Sequence, residues 1–210
     1  MTVLGVLAFT QEVRYGTITS TFLVEPRKSR VLVAKAVALT LADYVFKSTV
    51  ARQVPAAELA AFFATLNVVL NSLGFLAQLL LSGLVFRVLG LHRALMLLPL
   101  FLGLGALGVA VGGGIAAALL MKGADGSLRY SVHRTGTELL YVPLPDGLRS
   151  RTKPFLDVMG QRGGQALASL YLLAEATLNR GDAFTAMAAA ALCVVWAVWA
   201  HDLRAHYLNL

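Results

Sequence analysis

Charge is scarce in this sequence. Only 14% of its 210 residues are Asp, Glu, Lys or Arg, against about 25% in an average soluble domain. A water-soluble fold of this size needs more polar side chains than that to cover its surface. Disorder and coiled coil, which both need abundant charge, are excluded on the same ground. There is one cysteine, Cys193, and it sits in an apolar run, so no internal disulfide forms. Four histidines at unpatterned spacings and that one cysteine do not make a closed zinc site. Glycine-rich phosphate loops of the G-x4-G-K-[ST] and G-x-G-x-x-G kinds are missing, as is an acidic metal cluster, so nothing supports hydrolysis of a nucleotide. The opening run Val3 to Phe9 is short for a signal sequence and lacks a basic start.

What the chain does have is apolar length. Hydrophobic residues make up 58% and mean hydropathy is +0.72. The runs are continuous rather than alternating, which excludes an outer-membrane barrel and predicts an all-α membrane protein. Six spans are expected: Val31 to Val50, Ala56 to Phe86, Leu91 to about Val111, Gly112-Gly113-Gly114 onward to about Thr135, Pro154 to Leu178, and Ala183 to Leu203. Pro55 and Pro154 suit helix starts. Leu91 to Met121 is too long for one span, so the glycine triplet is read as a turn. Residues 1–28 form an unassigned N-terminal segment, 29–208 the six-helix unit, and 136–153 the one long polar connection.

The net charge of +7 has a topological explanation. With six spans, one side collects Arg27, Lys28, Arg30, Arg87, Arg93, Arg149, Arg151, Lys153 and Arg204, and the other only Arg52 and Arg180. The positive-inside rule puts the rich side, and both ends of the unit, in the cytoplasm of a bacterial-type inner membrane. Nucleic acid is then not expected as a partner; the lipid bilayer is.

The informative charges lie inside spans, where each costs about 2.5–3.5 kcal/mol at mid-helix and persists by facing a polar space. Asp43 and Lys47 share a face of span one at i,i+4. Lys35 is near enough to the start of that span to snorkel. Asn67, Asn71 and Gln78 make one stripe on span two. Lys122, Asp125 and Arg129 follow at i, i+3 and i+7 on span four, and Asp157, Arg162 and Glu175 lie on span five. Spans three and six carry no such groups past their ends. Two helices in three therefore face a polar space and each third one is lipid-facing support, the pattern of a carrier half built of two three-helix repeats. The competing reading, that Asp43–Lys47 and Asp125–Arg129 are merely self-neutralising pairs near helix ends, carries less weight, because ionisable groups in mid-membrane are functional by default.

Three stretches carry a resemblance. Leu41-Ala42-Asp43-Tyr44-Val45-Phe46-Lys47 resembles an LxDYxFK element. Leu128-Arg129-Tyr130-Ser131 followed by Glu138-Leu139-Leu140-Tyr141-Val142-Pro143-Leu144 resembles a YS…ELLYxPL element. Lys153, Asp157 and Arg162 resemble a KxxxD…R pattern. In all three the chain resembles the nucleotide transporter family, the ATP/ADP translocase type, and the resemblance implies spans seven to twelve of a major-facilitator bundle. Gly83, Arg87, Gly90 and Arg93 also fit that superfamily's loop motif, without its acid.

The resemblance implies a secondary carrier working by alternating access on an anionic small molecule, a nucleotide, with no cofactor, no metal and no enzymatic step. It places Lys47, Lys122, Arg129, Lys153 and Arg162 near the phosphates, with Asp43, Asp125, Glu138 and Asp157 as their partners in the empty carrier. Gly163-Gly164 would let a helix approach the cavity closely. A facilitator needs two such halves, so the implied partner is a missing N-terminal half or a second subunit. The unmatched residues 1–28 point to a fragment of a longer frame. No base-recognition residue is identifiable from the sequence: Tyr44 and Tyr130 fit stacking on a base and fit interfacial or core aromatics at least as well. The other readings are a facilitator-like carrier of another anion and a membrane anchor or sensor module of a fused regulatory protein. A membrane enzyme would need a Ser facing a His in mid-span, and His92, His133, His201 and His206 all lie near span ends.

Overall fold

The computed structural model describes residues 26–135, 146–178 and 181–207, with the backbone alone at 26–29, 80–83, 91–92, 146–157, 159 and 202–207. Every element among these residues is helical: α1 (Pro26–Gln53), α2 (Leu59–Leu76), α3 (Ser82–Ala110), α4 (Gly114–Leu128), α5 (Asp146–Leu178) and α6 (Asp182–Tyr207). A π turn, Ala77–Leu81, joins α2 to α3, and a second, Arg129–His133, extends α4.

The rods do not coincide with these labels. α3 is broken at Gly90, whose φ of 74° and ψ of 164° are not helical. Its first turns therefore continue the α2 rod and the rest forms the third rod. Only glycine enters that conformation without strain. The turn expected at the glycine triplet is present: φ is 91° at Gly112 and 57° at Gly114, and the Gly113 N–H donates to the Gly108 carbonyl at 2.7 Å. α5 starts at Asp146 rather than Pro154. The polar connection is shorter than read, because Gly147 to Lys153 are already helical. Pro154 lies inside a helix whose opening turns are polar and do not need an apolar run to form.

Among the described residues, three helices are long and apolar enough by themselves to cross a membrane: Leu59–Leu79, Arg93–Ala110 and Asp182–His201. α1, α4 and α5 are not among them; they carry the charged residues Asp43, Lys47, Lys122, Asp125 and Arg162 along their lengths. α1 alone, at 28 residues, is about 42 Å long, more than the roughly 30 Å of a hydrocarbon core.

Small residues set the packing, as expected where water supplies no drive between apolar helices. Gly160, Gly164 and buried Ala168 repeat every fourth residue along α5 and lie against α1. A Cβ at Gly160 would stand 2.9 Å from the Leu32 Cβ, and one at Gly164 only 2.3 Å from the Ala36 Cβ. Gly163, its neighbour, meets nothing. Gly105 and Gly108 of α3 admit Met121 and Ala117 of α4, and Gly74 of α2 meets Gly126 of α4. α1 is central, packed on α4, α5 and α6; α3 packs on α4 and α6; α2 packs on α4. The core between them holds Phe46, Leu98, Leu102, Met121 and Trp196, all buried. Leu84, Val88, Leu100, Leu104, Leu170, Leu173, Val194 and Val198 face outward, more than half exposed, an apolar belt suited to lipid.

Alternate rod ends meet at one face. Arg52 at the end of α1 pairs with Asp182 at the start of α6 at 3.0 Å, and Ser48 donates to the same carboxylate. The Ile115 N–H of α4 donates to Gln53 Oε1 at 2.9 Å. The opposite ends carry Arg30, Arg87, Arg93 and Arg134, all exposed.

Candidate functional site

A cavity of about 760 Å³ lies in the half of the bundle nearer the arginine-rich ends, within the range of small-molecule sites. On α1 its lining runs from Leu32 to Asp43, and on α4 and its π turn from Lys122 to Arg134. The helix order around it is α5, α1, α4, α2. No described residue of α3 or α6 lines it. Those two helices pack on each other and present their other faces outward.

The back wall, α1 and α4, is a chain of ion pairs. Lys47 Nζ reaches Asp43 Oδ2 at 2.6 Å. Lys122 Nζ donates to the other oxygen of Asp43, also at 2.6 Å, and lies 3.8 Å from Asp125. Arg129 closes the series on Asp125 at 3.4 Å. Lys122 is thus shared between two carboxylates from different helices. Its ammonium also sits 5.6 Å from the centre of the Phe46 ring, a favourable placement over an aromatic face. The short Asp43 contacts are the strong ones; the Asp125 contacts are long and leave Arg129 hydrogen-bonding capacity to spare.

Lys122, Arg129, Asp43 and Asp125 all line the cavity. Lys47 does not, and is instead 64% exposed beside Asp43. Arg162 is exposed and also outside the lining, while Gln161 and Gln165 on either side of it are in. Glu138 lies outside the described residues, and Lys153 and Asp157 lie in α5 where only the backbone is described. Lys35 and Arg134 line the cavity and were not among the residues singled out by sequence as cavity groups. By sequence Lys35 is close enough to a span start to snorkel, and Arg134 sits at a span end where cations are common. With them, four cations and two carboxylates among the described residues face the space.

Asn67 and Asn71 line the α2 side, but Gln78, expected on the same stripe, does not. It stands in the π turn, where the 100° step that would return it to the stripe is lost. Of the two tyrosines, Tyr130 lines the cavity, 59% exposed, and Tyr44 does not. Glu175 is buried away from the cavity, its Oε1 without a hydrogen-bond partner.

The second π turn is anchored from behind. Pro99 within α3 has no N–H to give the Leu95 carbonyl. His133 of the π turn takes that carbonyl as its hydrogen-bond acceptor and stacks edge-on against Trp196 at 5.4 Å. The cost of a proline inside α3 is offset by a side chain from the segment that carries Arg129 and Tyr130.

A helical membrane protein with a cationic, ion-paired cavity in its interior is the class that fold and site define. The model of the TLC ATP/ADP transporter family matches residues 77–207, and the chain belongs to that family. The match includes Lys122, Arg129 and the stretches at 128–144 and 153–162; the Leu41–Lys47 element lies outside it. No curated protein matches the chain, and no solved structure does. The protein is therefore a membrane transporter of the nucleotide-transporting kind, and the family's members are carriers rather than enzymes.

Proposed function

We propose that the chain forms one half of a nucleotide carrier of the major-facilitator architecture. It holds ATP or ADP by the phosphates on Lys122 and Arg129, with Lys35 and Arg134 at the wider end. The observation that carries this reading is Lys122 shared between Asp43 and Asp125 on the cavity wall. A phosphate arriving there exchanges for a carboxylate as the partner of Lys122 and Arg129, so the cations are never left bare in the empty carrier. Each charge-assisted contact contributes about 1.5–3 kcal/mol. Lys47, Lys153 and Arg162 belong to the same proposal as outer cations, with Asp157 and Glu138 as their resting partners.

In this reading all six rods span, and the cytoplasm bathes the arginine-rich ends. The cavity then faces inward, and alternating access rocks this bundle against a second half. α3 and α6 support the cavity helices from the lipid side. The test is exchange of labelled ATP into ADP-loaded liposomes with the full carrier, wild type against Arg129→Gln and Lys122→Met. Loss of ATP exchange by roughly tenfold to a hundredfold, with adenosine binding less affected, supports it. Equal loss for nucleotide and nucleoside removes the phosphate role. Exchange of other polyanions but not ATP turns the protein into a general anion carrier, and no transport with either leaves an anchor module.

A further inference from the structure

Resting on the reading of Lys122 as an anion-binding cation, we infer that Lys47 serves two carboxyl groups in turn, Asp43 on its own helix and Glu175 on α5, and that an anion arriving at Lys122 selects Asp43. The starting point is an uneven sharing of charge. Asp43 holds two ammonium groups, Lys47 on one oxygen and Lys122 on the other, both at 2.6 Å. Glu175 holds none among the described residues. It is 8% exposed, and its Oε1 is buried without a hydrogen-bond partner. An ionisable group on a helix inside the membrane persists where an opposite charge meets it. One carboxyl group thus has a cation to spare and another lacks one.

Packing sets the two at one level. Gly160 sits against Leu32 and Gly164 against Ala36, so α1 and α5 run in the same direction and meet turn by turn at one offset. Ala168, Tyr171 and Glu175 continue that face of α5, and Asp43 and Lys47 continue the face of α1 that carries Leu32 and Ala36. The same offset brings Glu175 level with Lys47. Lys47 is 64% exposed, and Tyr44 and Ala51 beside it are exposed too, so no packing fixes its flexible stem. The neighbouring described cations are engaged: Arg52 on Asp182 at 3.0 Å, Lys122 between Asp43 and Asp125. The structure shows Lys47 at the Asp43 end of its swing. With Lys122 on Asp43, Lys47 is surplus there, and its other partner is Glu175, which ties α1 to α5 beyond the cavity. An anion that takes Lys122 leaves Asp43 to Lys47 alone, and the tie opens. Occupancy of the cavity is thereby passed to the ends of two helices that line it.

The experiment is calorimetric binding of inorganic tripolyphosphate to the purified chain in nanodiscs, for wild type, Glu175→Gln, Lys47→Met and the double variant. Binding to wild type has to draw Lys47 away from Glu175, so Glu175→Gln is expected to bind about fivefold to tenfold more tightly. Lys47→Met strands Asp43 when Lys122 turns to the anion, and is expected to bind about tenfold more weakly. In the Lys47→Met background, Glu175→Gln is expected to change affinity by less than about twofold, because the tie is already gone. An equal gain in both backgrounds would make Glu175 only a distant negative charge, and overturns the inference. No gain in either background overturns it as well. A second measurement stands if Glu175→Gln does not fold. Spin labels at the exposed positions Ala51 and Leu178, with Glu175 and Lys47 in place, report the separation of the two helix ends. Tripolyphosphate is expected to lengthen it, and an unchanged distance distribution overturns the inference. Normal tripolyphosphate binding without these effects removes the Lys47 swing and leaves the anion site standing. A wild-type chain that binds neither tripolyphosphate nor ATP overturns the reading of the cavity, and this inference with it.

Discussion

α3 and α4 are neighbours of similar composition that meet through the same glycines, yet they do opposite things. α4 puts Lys122, Asp125 and Arg129 on one face and turns that face to the cavity. α3 beyond Arg93 has no charge at all, buries Leu98, Leu102 and Ala106, and leaves Leu100, Leu104 and Leu107 outside. The same division separates α1 from α6. Polar cargo is confined to helices with at least one face free of apolar neighbours, and the helices behind them supply a core that keeps those faces fixed. What differs between the two sets is not helix propensity but what each face meets.

The comparison breaks most severely where the cavity helices touch. Gly164→Leu would drive a side chain into α1 at a point where even a Cβ stands 2.3 Å from Ala36. Overpacking of this kind costs about 3 kcal/mol or more, and the expected outcome is loss of monodisperse protein in detergent by size exclusion. Gly163→Leu, one residue away and facing open space, should be tolerated; equal damage from both would mean that α5 does not pack by that face.

Next in size is the charge wall. Lys122→Met should weaken ATP binding by tenfold to a hundredfold, about 1.5–3 kcal/mol, and should leave both carboxylates with one cation each, Lys47 and Arg129. Thermal stability of the empty protein should therefore move much less than affinity does, and a large drop in melting temperature would make Lys122 chiefly structural.

A smaller effect tests the support side. His133→Phe keeps the ring against Trp196 but strands the Leu95 carbonyl that Pro99 cannot satisfy. A buried carbonyl left unpaired costs about 1–3 kcal/mol, read as a lower unfolding temperature. Restoring the missing donor with Pro99→Ala in the same chain should recover part of the loss; no recovery would disconnect His133 from the proline.

The smallest effect is expected on the outer face of α3. Leu104→Ala removes an exposed apolar side chain and should change both stability and ATP binding by no more than about 0.5 kcal/mol. A loss as large as that of Lys122→Met would place α3 in the transport path and end the division between the two sets.

The sequence by itself determined the helical membrane class, because apolar run length and the shortage of charge leave a chain of this size few other solutions. It determined the turn at the glycine triplet, the break at Gly90 and the helices that carry polar faces, because these follow from periodicity and from residues whose backbone freedom is known in advance. The family elements around Arg129 and after Lys153 were legible for the same reason: they are local patterns. Only the tertiary structure decided which charges share a wall. That Lys122 reaches Asp43 across 79 residues, that Lys35 and Arg134 join the lining while Lys47 and Arg162 stay out of it, and that Gln161 and Gln165 face Asn67 and Asn71 across one cavity all depend on helix rotation. A single π turn resets that rotation, as at Gln78, and close glycine contacts between helices fix the rest. Spacing along one helix reports neighbours on that helix; it carries no information about the angle at which the next helix presents its own.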